Sequence, residues 1–591
     1  MINFLRRQSF LSPAKTGLAA LLALSPPLFL ARLIWRYGVD IPYADEWLWT
    51  PFLFKAHEHS LTLADLFAQH NEHRYFFPKL LLLILAPLTS GNTKGAMFFS
   101  LGLAALTSAA LWYLLQRTVP ITANKRLLLL TVFNLVLFSP VQWENWMWGY
   151  QFVLFFCNLL LAAGICVSIS RYSLRTKFFL CLAIAAVATF SFGGGILAWP
   201  LTFPLALALE PSLRKSKIIG WLSAWLCAAG ATVMLYFFHY TKPPEHPPLI
   251  ASSHPGDYFL YVTTFLGGHL SKADLTKSIL VAAENGTLLL LLYLGGLFWT
   301  IRSRDADFRK KMLPWLGLGG VAVLNACLAA ATRVGFGVNQ ALDSRYTTFS
   351  LVVSLSVIGM FAVTTTTRLN KEANRPAFGL KWIGIAWLLT ACPTLLFISY
   401  LNACWSGIGS MQESRISRLH GKAALLFANV LDAGPIYPRY LIANATQTGP
   451  WANMANSLGF IHPPLVQSPE LSKLEHRPQM AGFFERLTPN QEGTWSASGW
   501  AIIPKAFRPA DAVLLAFEDP TSGTMAFAIT TPTSPVSYVV EAFHDDRYEI
   551  SGWSCDFARS KIPPGNHVIT AWAFDVEKMA IYPLGTPQKL D

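Results

Sequence analysis

DIPYADEWLWTPFLFKAHEHSLTLADLFAQHNEHRYFFPKL, residues 40–80, is the stretch from which the rest of the chain is read. It gathers Asp40, Asp45, Glu46, Glu58, Asp65 and Glu72 with His57, His59, His70, His73 and Arg74, between apolar runs at 17–37 and 77–90. A loop joining two membrane helices needs only a few polar residues. One that collects adjacent carboxylates, imidazoles and a guanidinium is a candidate for proton chemistry on a polar substrate.

Outward from this loop the chain is apolar. Of its 591 residues 53% are hydrophobic and only 13% charged, with a mean hydropathy of +0.39; soluble chains carry about 25% charged residues. Apolar runs of bilayer-crossing length, about 17–25 residues, recur from residue 17 to 400. The fold class expected is a polytopic α-helical membrane protein with a small β-sandwich domain at its C-terminus. The formal charge of +13 does not point to nucleic acid, because most basic residues before the tail fall in short connectors, a mark of membrane topology.

Those connectors set the topology. Basic clusters stand at Arg6/Arg7/Lys15, Arg117/Lys125/Arg126, Arg171/Arg175/Lys177, Arg214/Lys215/Lys217, Arg302/Arg304/Arg309/Lys310/Lys311 and Arg368/Lys371/Arg375/Lys381. Placing all six in the cytoplasm requires spans near 17–37, 95–116, 127–140, 150–170, 177–191, 196–211, 218–238, 278–300, 313–332, 346–366 and 382–400. This gives about eleven spans, an uncleaved first one, a cytoplasmic N-terminus and an outer C-terminus. Segment 77–90 is then expected in the outer interface, since counting it as a span would invert every later basic loop. With this topology the polar motifs share the outer face: the loop 38–76, QWENWMWGYQ at 142–151, FGGG at 192–195, KPPEHPP at 242–248, TRVGFGVNQALDSRY at 332–346 and the tail.

Trp143, Trp146, Trp148 and Tyr150 are expected as interfacial aromatics, with Glu144, Asn145 and Gln151 among them as cavity-lining candidates. The glycines at 193–195 suit a helix turn or a close helix approach; a phosphate nest there lacks the Lys-Ser/Thr that would strengthen it. Cys157, Cys166, Cys181, Cys227, Cys327 and Cys392 lie in or beside apolar runs and read as small core residues, while Cys404 and Cys555 in the tail leave a disulfide open.

Three regions are expected: a membrane domain over 1–400, a helical and loop region over 401–477 with an amphipathic helix near 411–431, and a β-sandwich over 478–591. TWSASGWAII, DAVLLAFE, TMAFAIT, VSYVVEAF and NHVITAWAF are its expected strands, several separated by turn signals such as Pro520-Thr521-Ser522-Gly523. Trp500, Trp553 and Trp572 read as core before they read as sugar platforms.

An outward-facing transferase needs a lipid-carried donor. Three roles follow: a carboxylate to orient or deprotonate the acceptor, fixed cations for the leaving phosphate, and an apolar groove for the polyprenyl chain. Asp45 and Glu46 supply a carboxylate pair. Arg333 and Arg345, bracketing another outer loop, suit a phosphate, and His70, Glu72, His73 and Arg74 are further substrate- or phosphate-binding candidates.

The first outer loop opening with ADEW at 44–47, HNEHRYFFPKL at 70–80 entering an apolar stretch, and the SRY at 344–346 resemble the GT-C superfamily of membrane glycosyltransferases. The likeness is nearest to the branch of protein mannosyltransferases and aminoarabinose transferases, and covers residues 1–400. It implies a helical bundle holding a polyprenyl-phosphate-linked sugar donor and an acidic first-loop residue acting as base, carried here onto Asp45 with Glu46 beside it. The acceptor would be a glycan, lipid or protein at the outer face of a bacterial cytoplasmic membrane. That branch has His-Pro-Pro-Leu where this chain has Phe76-Phe77-Pro78-Lys79-Leu80.

His57-Glu58-His59 and His70-Asn71-Glu72-His73 offer metal donors, yet neither has the i, i+4 histidine spacing of a helical zinc site. No metal is assigned, and a divalent cation stays open. The rival readings are a lipid-linked glycan transporter or flippase, which calls for internal repeats and mid-membrane charges, and an O-antigen polymerase or ligase, which places its large loops late in the bundle.

Overall fold

The computed structural model describes residues 13–210, 213–271, 275–372, 381–442, 445–490, 493–565 and 567–590. The chain divides into two compact units, each discontinuous in sequence. The first comprises 1–38, 62–84 and 94–411, the second 39–61, 85–93 and 412–591. The loop 38–76 is therefore shared between them.

Helices dominate the first unit. Among the described residues eight are long and apolar enough to cross a membrane: Ala14–Tyr37, Thr93–Thr118, Ala123–Met147, Gly149–Ser168, Lys215–Phe237, Ser278–Arg302, Ala306–Phe336 and Ser344–Thr367. They coincide with eight of the spans expected from the sequence. The expected span 177–191 is helix Leu174–Thr189, and 196–211 is broken into Gly193–Leu197, Ala198–Leu201 and Phe203–Ala208, with Pro204 opening the last piece. Segment 77–90 forms the 14-residue helix Phe76–Thr89, about 21 Å long against a hydrocarbon core of about 30 Å. Most side chains of the expected span 382–400 and its basic cluster lie outside the described residues, as do Arg6 and Arg7. Helix Lys215–Phe237 buries only 6% of its apolar window and turns Ile219, Leu226 and Met234 outward, as a lipid-facing helix does.

Small residues allow the tightest helix contact. A Cβ on Gly267 would lie 1.9 Å from the Ala282 carbonyl oxygen, and one on Gly286 would lie 1.8 Å from that of Thr263. Helices Pro255–Gly267 and Leu275–Arg302 can approach this closely only with glycine at both positions.

In the second unit two sheets pack over a shared core. The larger has strands Glu475–His476, Ala580–Pro583, His567–Asp575, Ala512–Asp519 and Gly523–Thr530 in that order, with Gln588–Leu590 added to His567–Asp575. The smaller has Gly482–Pro489, Thr494–Ile503 and Arg508–Pro509, with Gly552–Ala558 on the other side of Thr494–Ile503. Strand alternation divides the burial. Val513, Leu515 and Phe517 join Phe484, Ala497 and Phe557 between the sheets. Ala512, Leu514 and Ala516 face the opposite way, onto Leu419, Ala423 and Phe427 of the helical segment and onto Val39, Ile41 and Trp47 of the early loop. Arg508 ties this unit internally, pairing with buried Asp511 and Asp575. Burial, with the neighbouring Asp575 charge, pushes the Asp511 carboxyl up to about 7 against the pull of Arg508.

One expected strand is overturned. VSYVVEAF contains helix Ser537–Phe543, ended by His544 in the left-handed conformation. Its β-branched residues favour a strand, but Val539 packs with Trp500, Ile502 and Tyr548 from one helical face. Strands Gly482–Pro489 and Gly552–Ala558, not expected from the sequence, flank Thr494–Ile503 in the smaller sheet. Trp500 and Trp553 are core, Trp572 is half-buried against it, and Cys404 and Cys555 are free thiols.

Candidate functional site

The two halves of the acidic loop differ in what holds their carboxylates. In the second unit, Glu46 sits in the first turn of the 3-10 helix Ala44–Trp49 and accepts from the Tyr43 backbone N–H at 3.0 Å, a local cap. Asp45 beside it is half-buried, and the adjacent Trp47 is fully buried in the core of that unit. Asp40 accepts from the Thr93 N–H at 2.9 Å and lies 3.5 Å from His462. His57, Glu58 and His59 are exposed at a helix end.

The first unit receives the other half, 62–84, already built. Thr62 and Asp65 cap the short helix Leu63–Phe67, with the Thr62 N–H donating to Asp65 at 2.9 Å. His70 and His73 then exchange both backbone hydrogen bonds, at 2.8 and 2.9 Å, across a tight turn with Asn71 in the left-handed region. Two cations fasten this structure. Arg74, buried, donates to the carbonyls of Phe67, Tyr236 and Phe238. Lys79, also buried, donates to those of Asp65 at 2.7 Å and Ala68 at 2.9 Å. Arg74 therefore leaves the set of expected substrate ligands: its guanidinium satisfies backbone that would otherwise be buried unpaired.

The turn presents Glu72 to groups from far along the chain. Its carboxylate pairs with Arg333, at the C-terminal end of helix Ala306–Arg333, and lies 3.6 Å from both His73 and His246. Arg333 also lies 3.2 Å from the His246 ring. The loop carrying His246 is docked here: Ile250 N–H donates to the Ala331 carbonyl at 2.9 Å, and Gln69 and Thr241 bond reciprocally. Burial, outweighing the nearby Glu245 charge, lowers the His246 pKa below its ordinary value. Glycine clears the space behind the turn, since a Cβ on Gly193 would lie 3.0 Å from His73 Nδ1. The glycine run at 193–195 thus serves close approach, Gly195 lying against the Ala188 carbonyl. His70 and His73 pack at tilted ring angles, His70 on Tyr75 and Tyr150 and His73 on Tyr75 and Phe192.

Arg345 belongs to the same electrostatic neighbourhood: Arg333 feels the charges of Arg345 and Asp343. Arg345 donates to Asp343 Oδ2 from Nη2 at 2.6 Å and from Nε at 3.1 Å, and its backbone N–H donates to Glu144 at 3.2 Å. The segments 141–145 and 344–348 are stitched together. Ser344 Oγ donates to the Val141 carbonyl at 3.0 Å, and the Asn145 amide donates to the Arg345 carbonyl at 3.1 Å and to Thr348 Oγ1 at 2.6 Å. Between these segments and the helical face Ala403–Ser406–Ser410 lies a cleft of about 290 Å³, lined also by Trp143, Glu144, Asp343 and Arg345.

Several expectations change here. Glu144 lines the cleft, but Asn145 and Gln151 are buried outside its lining, Asn145 as a brace. Trp146, Trp148 and Tyr150, expected as interfacial aromatics, are buried packing residues, and Trp143 is half-buried at the cleft. His246 and Asp343, not expected as site residues from the sequence, complete the two charge clusters. Among the described residues no three His, Cys, Asp or Glu side chains are placed to hold a metal ion. Comparison with family models, with curated proteins and with solved structures finds no match.

Proposed function

We propose that the protein is a membrane-embedded glycosyltransferase of GT-C type, moving a sugar from a polyprenyl-phosphate-linked donor to an acceptor at the outer face of the cytoplasmic membrane. The observation that carries this reading is the pairing of Arg333 and Arg345 at the ends of two apolar helices, within electrostatic reach of each other and each met by a carboxylate. Two guanidiniums at a membrane helix end suit the phosphate of a lipid whose chain stays among apolar helices.

In the reaction, an acceptor hydroxyl oxygen forms a bond to the anomeric carbon. The bond from that carbon to the phosphate oxygen breaks, its electron pair leaves on the polyprenyl phosphate, and the hydroxyl proton passes to a carboxylate. Glu72 takes that last role in preference to Asp45 and Glu46. Glu46 caps its own helix, whereas Glu72 lies against the arginine assigned to the phosphate. An anionic phosphate competing for Arg333 would free the Glu72 carboxylate to accept the hydroxyl proton when the donor is bound.

The test is titration of the purified protein in detergent with undecaprenyl phosphate. Saturable binding in the wild type, lost in Arg333→Ala and weakened in Arg345→Ala, is the expected result. Absence of wild-type binding, or binding indifferent to both substitutions, overturns the reading.

A further inference from the structure

We infer that the cleft between 141–145, 339–347 and 403–410 is a subsite for one neutral monosaccharide ring, seated on Trp143 and hydrogen-bonded by Glu144 and Asp343. This rests on the transferase reading for its purpose, though not for its chemistry.

The cleft is small. About 290 Å³ stands at the lower end of ligand pockets, which run roughly 300–1,000 Å³, and suits a single ring better than an oligosaccharide. Its lining combines what a sugar demands. Trp143 offers an apolar ring for the C–H face of a pyranose. Glu144 and Asp343 are carboxylate acceptors able to hold hydroxyl donors, and Ser406 and Ser410 supply hydroxyls. Asp343 receives Arg345 on one oxygen, Oδ2, which leaves Oδ1 to a ligand.

Charge selects among sugars. Two carboxylates against one guanidinium leave the lining with a net negative charge, so a uronic acid would bring a third carboxylate against two already present. A neutral hexose meets no such repulsion.

The walls are also preformed, which lowers the entropy cost of binding. Asn145, Ser344 and the Arg345 backbone fix one wall through hydrogen bonds to Val141, Glu144 and Thr348. On another side His269, buried between the Ser350 and Ser354 hydroxyls at 3.2 and 2.7 Å, holds the turn that carries Gly268 and Ser271. The site also adjoins the arginine pair, because Arg345 lines the cleft and Arg333 feels its charge.

The experiment is ligand-detected NMR titration of the full protein in detergent with methyl glycosides of glucose, galactose, mannose and glucuronic acid. The expected result is saturable binding of at least one neutral glycoside with a Kd on the order of millimolar, weakened about tenfold or more in Trp143→Ala, with the glucuronide at least about tenfold weaker. Ser406→Trp, which fills the cleft without removing a packed side chain, should abolish binding even where Trp143→Ala folds poorly. No binding by any neutral glycoside, equal binding of the glucuronide, or undiminished binding in Ser406→Trp overturns the subsite. Undecaprenyl phosphate titrated into the same samples separates the two proposals. Glycoside binding without lipid-phosphate binding sinks the transferase reading and keeps the cleft, and the converse sinks the cleft alone.

Discussion

Residues 39–61 and 62–84 are consecutive, both carry acids and histidines, and they belong to different units. The first half sends Val39, Ile41 and Trp47 into the hydrophobic core of the second unit, and Glu46 bonds the backbone three residues away. The second half brings Glu72 against His246 and Arg333, side chains reached only by folding. Each half carries a local cap, Glu46 in one and Asp65 in the other, and Asp40 meets Thr93 and His462; what sets Glu72 apart is a guanidinium from a distant helix. A carboxylate answered within one turn of its own chain is a cap, and one met by a guanidinium and an imidazole from distant segments is a candidate for chemistry.

The largest expected effect tests that contrast directly. Glu72→Gln should lower transfer from polyprenyl-phosphate sugars by about 10²-fold or more, while Asp45→Asn keeps activity within a few-fold. Radiolabel incorporation in membranes carrying each variant measures it, and a dead Asp45→Asn beside an active Glu72→Gln would reverse the comparison. Next, Trp47→Ala should cost the second unit about 3–5 kcal/mol, seen as faster proteolysis within 412–591, with undecaprenyl phosphate binding retained. If stability is untouched, the early segment is not part of that core.

Arg74→Met leaves three buried carbonyls without their donor and should cost about 3 kcal/mol, read as a lower melting temperature in detergent. Arg74→Lys should recover only part of it, because an ammonium lacks the guanidinium fork. An unaffected Kd for undecaprenyl phosphate in the folded fraction would sharpen its assignment as a fastener; a specific loss would return Arg74 to the site. Smallest of all, Glu46→Ala should cost about 1 kcal/mol, the worth of a cap, with no change in transfer.

The same distinction explains what could be read from the sequence. The apolar helices are legible because length and hydropathy are local properties, and the paired arginines because they bracket one connector. The partners of those arginines are not legible: nothing in KPPEHPP says that its histidine meets Arg333. The allocation of the loop between two units depends on which core accepts Trp47, a question of tertiary packing that no local pattern answers. VSYVVEAF fails for a related reason, since β-branched residues pack from a helix as readily as from a strand when one of them, Val539, is the anchor. The aromatics at 146–150 have the composition of an interface belt and the burial of a core.

The discontinuity of the second unit also fixes an order of events. Its first segment leaves the ribosome early and its remainder begins at Gln412. At about 5–20 residues per second, Val39, Ile41 and Trp47 wait on the order of 20–70 seconds for the strands and helix that will cover them. Nearly all of the first unit is synthesised in that interval. A newborn chain must therefore keep an apolar segment shielded while the helices are inserted one after another, and a truncation anywhere before residue 412 would leave it exposed for good.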